Sequence, residues 1–169
     1  MMQLTPHFSL EELCFSQTAV RRGIDNTPPP EVIEKLKRTA NVLERVRSLL
    51  NNNAIRSSSG YRCNALEYII CEGAYKEWCA RRGFKVDLAS WHDYLLGKQH
   101  PRGEAADVTS PYGSPTQIVR LVAKSPIEFD QIILEYPDSP GGGWVHLSTS
   151  DDPRRQVLVR DQKGTRLFS

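Results

Sequence analysis

The sequence lacks a CxxC pair. Its four cysteines, Cys14, Cys63, Cys71 and Cys79, stand singly, so the thiolate pairs of structural zinc sites are missing. Nothing places them in an oxidising compartment, and buried apolar thiols are the expectation. Long hydrophobic runs are also missing: no stretch approaches the ~20 apolar residues of a membrane span. The opening Met1-Met2-Gln3-Leu4-Thr5-Pro6-His7 has no basic n-region, and no apolar h-region follows. Cytoplasmic synthesis without a signal peptide is therefore expected, with no membrane partner. Charge of one sign is scarce as well. Lys+Arg number 22 and Asp+Glu 20, for a net +2, which gives no electrostatic footprint for nucleic acid. Internal repeats and low-complexity segments are absent.

What is present is an ordinary globular composition, 39% hydrophobic and 25% charged over 169 residues. That length suits one compact domain, 1–169, able to bury roughly 70% of its unfolded surface without disulfides. A monomer is expected.

Helix signals dominate the first half. Ser9-Leu10-Glu11-Glu12 reads as a capping box ahead of a short helix. Pro28-Pro29-Pro30 leads into a longer one with the stripe Val32, Ile33, Leu36, Ala40, Leu43, Val46 and Leu50, which Asn51-Asn52-Asn53 stops. A short strand is expected from Ala54 to Ser58. Asn64 to Leu96 is mostly helical, with breaks predicted at Gly73 and Gly83. Later come strands at Glu104–Thr109, Phe129–Glu135 and Trp144–Ser148, a helix over Pro115–Lys124, and a further strand at Gln156–Arg160. Helices first and short strands later argue α+β, with a small antiparallel sheet packed against the N-terminal and inserted helices.

Four histidines are few enough to weigh singly. His7 and His92 lie in polar or helical surroundings that suggest solvent or structural roles. His100 differs, because Asp107 follows seven residues on at the end of a loop-to-strand passage. Gly103 and the pair Ala105-Ala106 leave room for that loop to fold back over the strand. His146, within Trp144-Val145-His146-Leu147-Ser148, shares a strand face with Trp144 and Ser148. Two histidines and an aspartate would give an ion three protein ligands and leave one position open, as in catalytic zinc sites. Spacing alone leaves a metal site and a set of unrelated polar residues both open.

Gln99-His100-Pro101-Arg102-Gly103-Glu104-Ala105-Ala106-Asp107 resembles the SxHxxGxAxD signature of the D-alanyl-D-alanine carboxypeptidase-like zinc peptidases. Trp144-Val145-His146 resembles their second histidine motif and Ser59-Gly60-Tyr61-Arg62 their SGYR. Phe8-Ser9-Leu10-Glu11-Glu12-Leu13 and Gly23-Ile24-Asp25-Asn26-Thr27-Pro28 are similar to segments of the small phage and prophage members. The motifs run in order from Phe8 to Ser148. The resemblance implies Zn2+ held by His100, Asp107 and His146, with Arg62 facing the substrate. Some members carry an acid three residues before the last histidine, where Gly143 stands here. Glu135 is then the expected general base, ahead of Asp138 in a loop and Asp130, whose position five residues earlier points it to the opposite face. Its strand also resembles that of the hedgehog signalling domain, a structural relative in which an acid likewise lies beside zinc.

Two departures stand out. Lys98 replaces the family serine two residues before the first histidine. Residues 63–97 form a helical insertion, read as an extra layer burying Trp78, Trp91 and Tyr94 or as a wall shaping the cleft. The resemblance implies a zinc peptidase acting on peptidoglycan stem peptides, either a D-Ala-D-Ala carboxypeptidase or an endolysin-type endopeptidase. Release to the cell wall by lysis, or carriage in a virion, suits such an enzyme. The alternative is a catalytically silent, zinc-containing binding module of the same fold.

Overall fold

In the computed structural model, which describes residues 1–168, a short hairpin of β1 (Gln3–Thr5) and β2 (Phe8–Ser9) opens the chain. The Ser9 hydroxyl then accepts the Glu12 N–H at 3.2 Å and caps α1 (Leu10–Cys14). Ser16 caps α2 (Gln17–Arg22) in the same way. Pro30 begins α3 (Pro30–Leu49), whose stripe Val32, Leu36, Ala40, Leu43 and Val46 is buried. After β3 (Arg56–Ser59) come α4 (Asn64–Arg82) and α5 (Leu88–Leu96). Of the two predicted breaks only Gly83 ends a helix, in the left-handed conformation at φ 67°. Gly73 continues α4. Its cost of ~1 kcal/mol against alanine is outweighed by the burial of Tyr75 and Cys79 on the following turns.

A 3₁₀ turn at His100–Arg102 leads into β4 (Ala105–Thr109). A full capping box between Ser114 and Gln117 starts α6 (Pro115–Lys124). β5 (Gln131–Glu135), β6 (Trp144–Ser148), β7 (Gln156–Asp161) and β8 (Gly164–Leu167) complete the order.

Six strands make one sheet in the order β3-β4-β6-β5-β7-β8. Neighbours are antiparallel except β5 and β7, which run parallel because the chain leaves β6 and re-enters on the far side of β5. The architecture is α+β, as the order of sequence signals implied. Strand alternation gives the sheet two unlike faces. Ala106, Val108, Ile132, Leu134, Val145, Leu147 and Val159 point into the main core with α3 and α6. Asp107, Ile133, Glu135, Trp144 and His146 take the other face.

The inserted helices stand on that second face with a core of their own. Tyr75, Cys79, Trp91 and Tyr94 are buried together, with ring centroids 5.0 Å apart for Tyr75–Trp91 and 5.4 Å for Tyr75–Tyr94. The Trp91 indole N–H donates to Asn64 Oδ1 at 2.7 Å and ties α5 to the start of α4. Among the described residues no helix is long and apolar enough to cross a membrane.

Candidate metal centre and cleft

Strand register brings the distant motifs together. Asp107 on β4 lies directly opposite His146 on β6, and His146 is in turn opposite Ile133 on β5. His100 arrives from the 3₁₀ turn, which Gly103 closes at φ 70°. A Cβ at Gly103 would come within 2.8 Å of Val32 Cγ1, so only glycine lets the loop fold back against α3. The predicted triplet His100, Asp107 and His146 is buried, and one potential ligand atom from each falls within 4.8 Å of the others. Asp107 Oδ1 stands 3.4 Å from His100 Nε2 and 2.9 Å from His146 Nδ1. Nitrogen and oxygen ligands at ~2.0–2.2 Å around a tetrahedral ion lie about 3.3–3.6 Å apart. The His100–Asp107 spacing matches that, while the His146–Asp107 spacing is that of a hydrogen bond and has to widen to admit an ion. Burial raises the cost of ionising Asp107, but the imidazoles of His100 and His146 override it and hold the carboxyl well below its ordinary range.

The Ser59-Gly60-Tyr61-Arg62 segment supports the triplet from beneath. The Gly60 carbonyl accepts from His100 Nδ1 at 2.6 Å, which leaves Nε2 free to ligate. Any side chain at Gly60 would sit 2.2 Å from the Leu13 carbonyl oxygen, because the Tyr61 N–H donates to that same oxygen at 2.7 Å. Asn26 clamps the segment: its amide donates to the carbonyls of Cys14 and Tyr61 and its oxygen accepts the Cys63 N–H. Arg62 donates to Ser59 Oγ at 2.7 Å, Glu67 Oε2 at 3.2 Å and Asp107 Oδ2 at 2.8 Å. Its fork is thus largely engaged with protein acids, with two of the five guanidinium N–H groups left over.

Above the triplet lies an open cleft of about 370 Å³. The sheet supplies Glu135, Trp144, His146 and Arg160; the inserted helices supply Glu67, Cys71 and Tyr94, and Lys98 follows them. The insertion is therefore both an extra layer with its own core and one wall of the cleft. Lys98 rests over the Tyr94 ring at 4.1 Å and has no acid within salt-bridge distance among the described residues. Cys71 donates to Glu67 Oε1 at 3.1 Å, and burial, with Glu67 beside it, pushes the thiol up to about 11. It stays protonated at neutral pH and offers no nucleophilic thiolate.

Glu135 lies on the same sheet face, two residues from Ile133, and Arg160 Nη1 approaches its Oε1 at 4.0 Å. Burial, and then the Asp107 carboxylate, push the Glu135 carboxyl above its ordinary range. Asp138 is exposed and does not line the cleft. Gly143 explains why no acid occupies the position three before His146: at φ 74°, its Cβ would stand 2.0 Å from the Glu135 carbonyl oxygen.

Residues that pattern reading passed over complete the centre. Gln99 is buried with Oε1 2.9 Å from His146 Nε2, and its amide nitrogen donates to Asp130 Oδ2 and Ser148 Oγ. Strand parity placed Asp130 on the opposite face. It precedes the strand instead, and its carboxylate reaches beneath Gln99. Arg154 donates to both its oxygens and, against the opposing effect of burial, holds the carboxyl below the ordinary range. Gln99 adjoins His100 within one motif, a signal that could have found it; Asp130 is weighed in the sequence only as a base, and nothing local marks Arg154.

The family model described as Peptidase M15 matches residues 6–73. No curated protein and no solved structure matches the chain. The matched stretch holds Asn26, Gly60, Arg62 and Glu67, while His100, Asp107 and His146 lie downstream of it. The match supports a metallopeptidase of the M15 family.

Proposed function

We propose that the protein is a zinc-dependent peptidase that hydrolyses peptide stems of bacterial peptidoglycan, as a D-Ala-D-Ala carboxypeptidase or an endolysin-type endopeptidase. The observation that carries this reading is Glu135, a carboxyl raised by burial and set on the sheet face of the His-Asp-His triplet. A purely structural metal site has no use for such an acid. His100, Asp107 and His146 would hold the ion, through nitrogen and oxygen donors of the kind zinc accepts. When bound, zinc supplies a Lewis acid that lowers the pKa of water towards ~7 and polarises a carbonyl.

The protein's own groups do the rest. Glu135 accepts a proton from the attacking water and returns it to the leaving amine, a task suited to a carboxyl whose affinity for protons is raised. Arg62 fixes Asp107 through Oδ2 and turns its remaining N–H groups to the oxyanion that develops on the scissile carbonyl. In the cleft Arg62, Lys98 and Arg160 balance Glu67, Asp107 and Glu135, so a divalent ion leaves it net positive. That balance suits a carboxylate-bearing peptide such as a wall stem. Release by lysis or carriage in a virion would bring it to such a substrate.

Purified peptidoglycan incubated with wild type, zinc-stripped protein and Glu135→Ala, with fragments read by mass spectrometry, tests the proposal. Release of D-alanine or a cut stem is expected from wild type alone, with Glu135→Ala still binding zinc. Intact walls from several hosts after treatment with zinc-loaded wild type would overturn it in favour of a catalytically silent binding module.

A further inference from the structure

Every polar atom of the Gln99 side chain has a partner, and the partners fix which way the amide points. Its nitrogen lies 2.7 Å from Asp130 Oδ2 and 2.9 Å from Ser148 Oγ. Asp130 is a carboxylate and can only accept, because Arg154 donates to it from the backbone N–H at 3.0 Å, from Nε at 2.8 Å and from Nη2 at 2.5 Å. Ser148 Oγ also accepts the Gln131 N–H at 3.0 Å. Both amide hydrogens of Gln99 are therefore committed, and its oxygen has to face His146 Nε2, 2.9 Å away. An amide oxygen accepts only, so Nε2 must carry a proton. With Nε2 held to the amide oxygen, Nδ1, which lies 2.9 Å from Asp107 Oδ1, is the ring nitrogen left to take a cation.

We propose that Gln99, locked by Asp130 and Arg154, is a positioning residue that fixes the His146 tautomer and presents Nδ1 to the metal. His100 is oriented by a backbone carbonyl on its Nδ1 and ligates through Nε2, so the two histidines would offer opposite ring nitrogens. The inference rests on the metal-centre reading above and adds to it a chain of polar contacts from the surface residue Arg154 to a ligand. Outer partners of ligating histidines are typically worth 10–100-fold in metal affinity.

Asp130→Asn is the discriminating change, because it introduces a donor where only an acceptor stood. Gln99 can then turn its oxygen towards the introduced amide and its nitrogen towards His146, which favours a proton on Nδ1. Gln99→Leu is the second variant and removes the acceptor altogether. Zinc affinity would be measured by competition with a chromophoric chelator, and the His146 nitrogens of the zinc-loaded protein followed by 15N NMR. Wild type should show a protonated Nε2 and a ligated Nδ1. Both variants should bind zinc at least tenfold more weakly, with faster exchange of any Nε2 proton, and thermal melts would record any general loss of fold. Ligation of wild-type His146 through Nε2, or unchanged zinc affinity in both variants, would overturn the inference while leaving the metal centre intact. Failure of wild type to take up zinc would overturn both.

Discussion

Arg62→Met separates two roles for this arginine that a resemblance to peptidases cannot distinguish. The side chain is only 13% exposed and stands between two acids, Glu67 at 1% and Asp107 at 9%. Removing the guanidinium orphans the buried Glu67 carboxylate, while Asp107 loses one partner and keeps the imidazoles of His100 and His146. Breaking a buried pair in this way costs about 3–5 kcal/mol, because the orphaned charge cannot return to water. In a chain of this length 1 kcal/mol shifts the melting temperature by roughly 2–4 °C, so a fall of about 6 °C or more is expected in the metal-free protein. Urea unfolding followed by circular dichroism would measure the same loss. The decisive arm is Arg62→Met combined with Glu67→Gln. If orphaned charge is the cause, the second change neutralises one carboxylate and restores a substantial part of the stability. A single variant less than about 1 kcal/mol below wild type, or a double variant weaker than the single one, would refute the reasoning and leave Arg62 as a substrate contact only.

Two further outcomes follow from the same geometry. As the proposed base, Glu135 works only when deprotonated, and burial raises its carboxyl. Activity should therefore fall on the acid side at a higher pH than an exposed glutamate would give, and a kcat/KM profile of wild type checks this. Gly143→Ala forces a left-handed residue to carry a Cβ against the Glu135 carbonyl. A loss of about 1–3 kcal/mol is expected in thermal melts, with activity falling because the base itself shifts.

Much of this molecule is legible in its residues, for physical reasons that can be named. α6 is bounded by a serine cap and a proline at the first turn, and β6 by aromatic and β-branched residues after glycines; both match their expected limits. The metal triplet is legible only through the resemblance of its motifs, because spacing alone leaves unrelated polar residues equally open; the β4–β6 register then brings His100, Asp107 and His146 together. The parallel β5–β7 pair was not visible, since parity and propensity say nothing about which edge a returning strand takes. β8 was hidden for a different reason: all four of its residues are exposed, so no alternation betrays an edge strand. Gly73 misled because a glycine's intrinsic cost is small beside the aromatic burial on either side. The engagement of Arg62 with Glu67 and Asp107 depends on how α4 leans over the sheet, a tertiary fact that no local window contains.

The separate core of the inserted helices divides the labour of the protein. His100, Asp107, His146 and Glu135 all rest on the sheet or its adjoining turn, whereas Tyr94 and Cys71 reach the cleft from helices whose burial is largely their own. Sequence change among the aromatic rings of α4 and α5 weakens the cohesion of the wall and leaves the sheet's packing untouched. On the proposed reading, the groups that react and the wall that faces a substrate can accordingly be redesigned as two nearly independent modules, tied by the Arg62–Glu67 ion pair and the hydrogen bond from Arg102 to the Leu96 carbonyl.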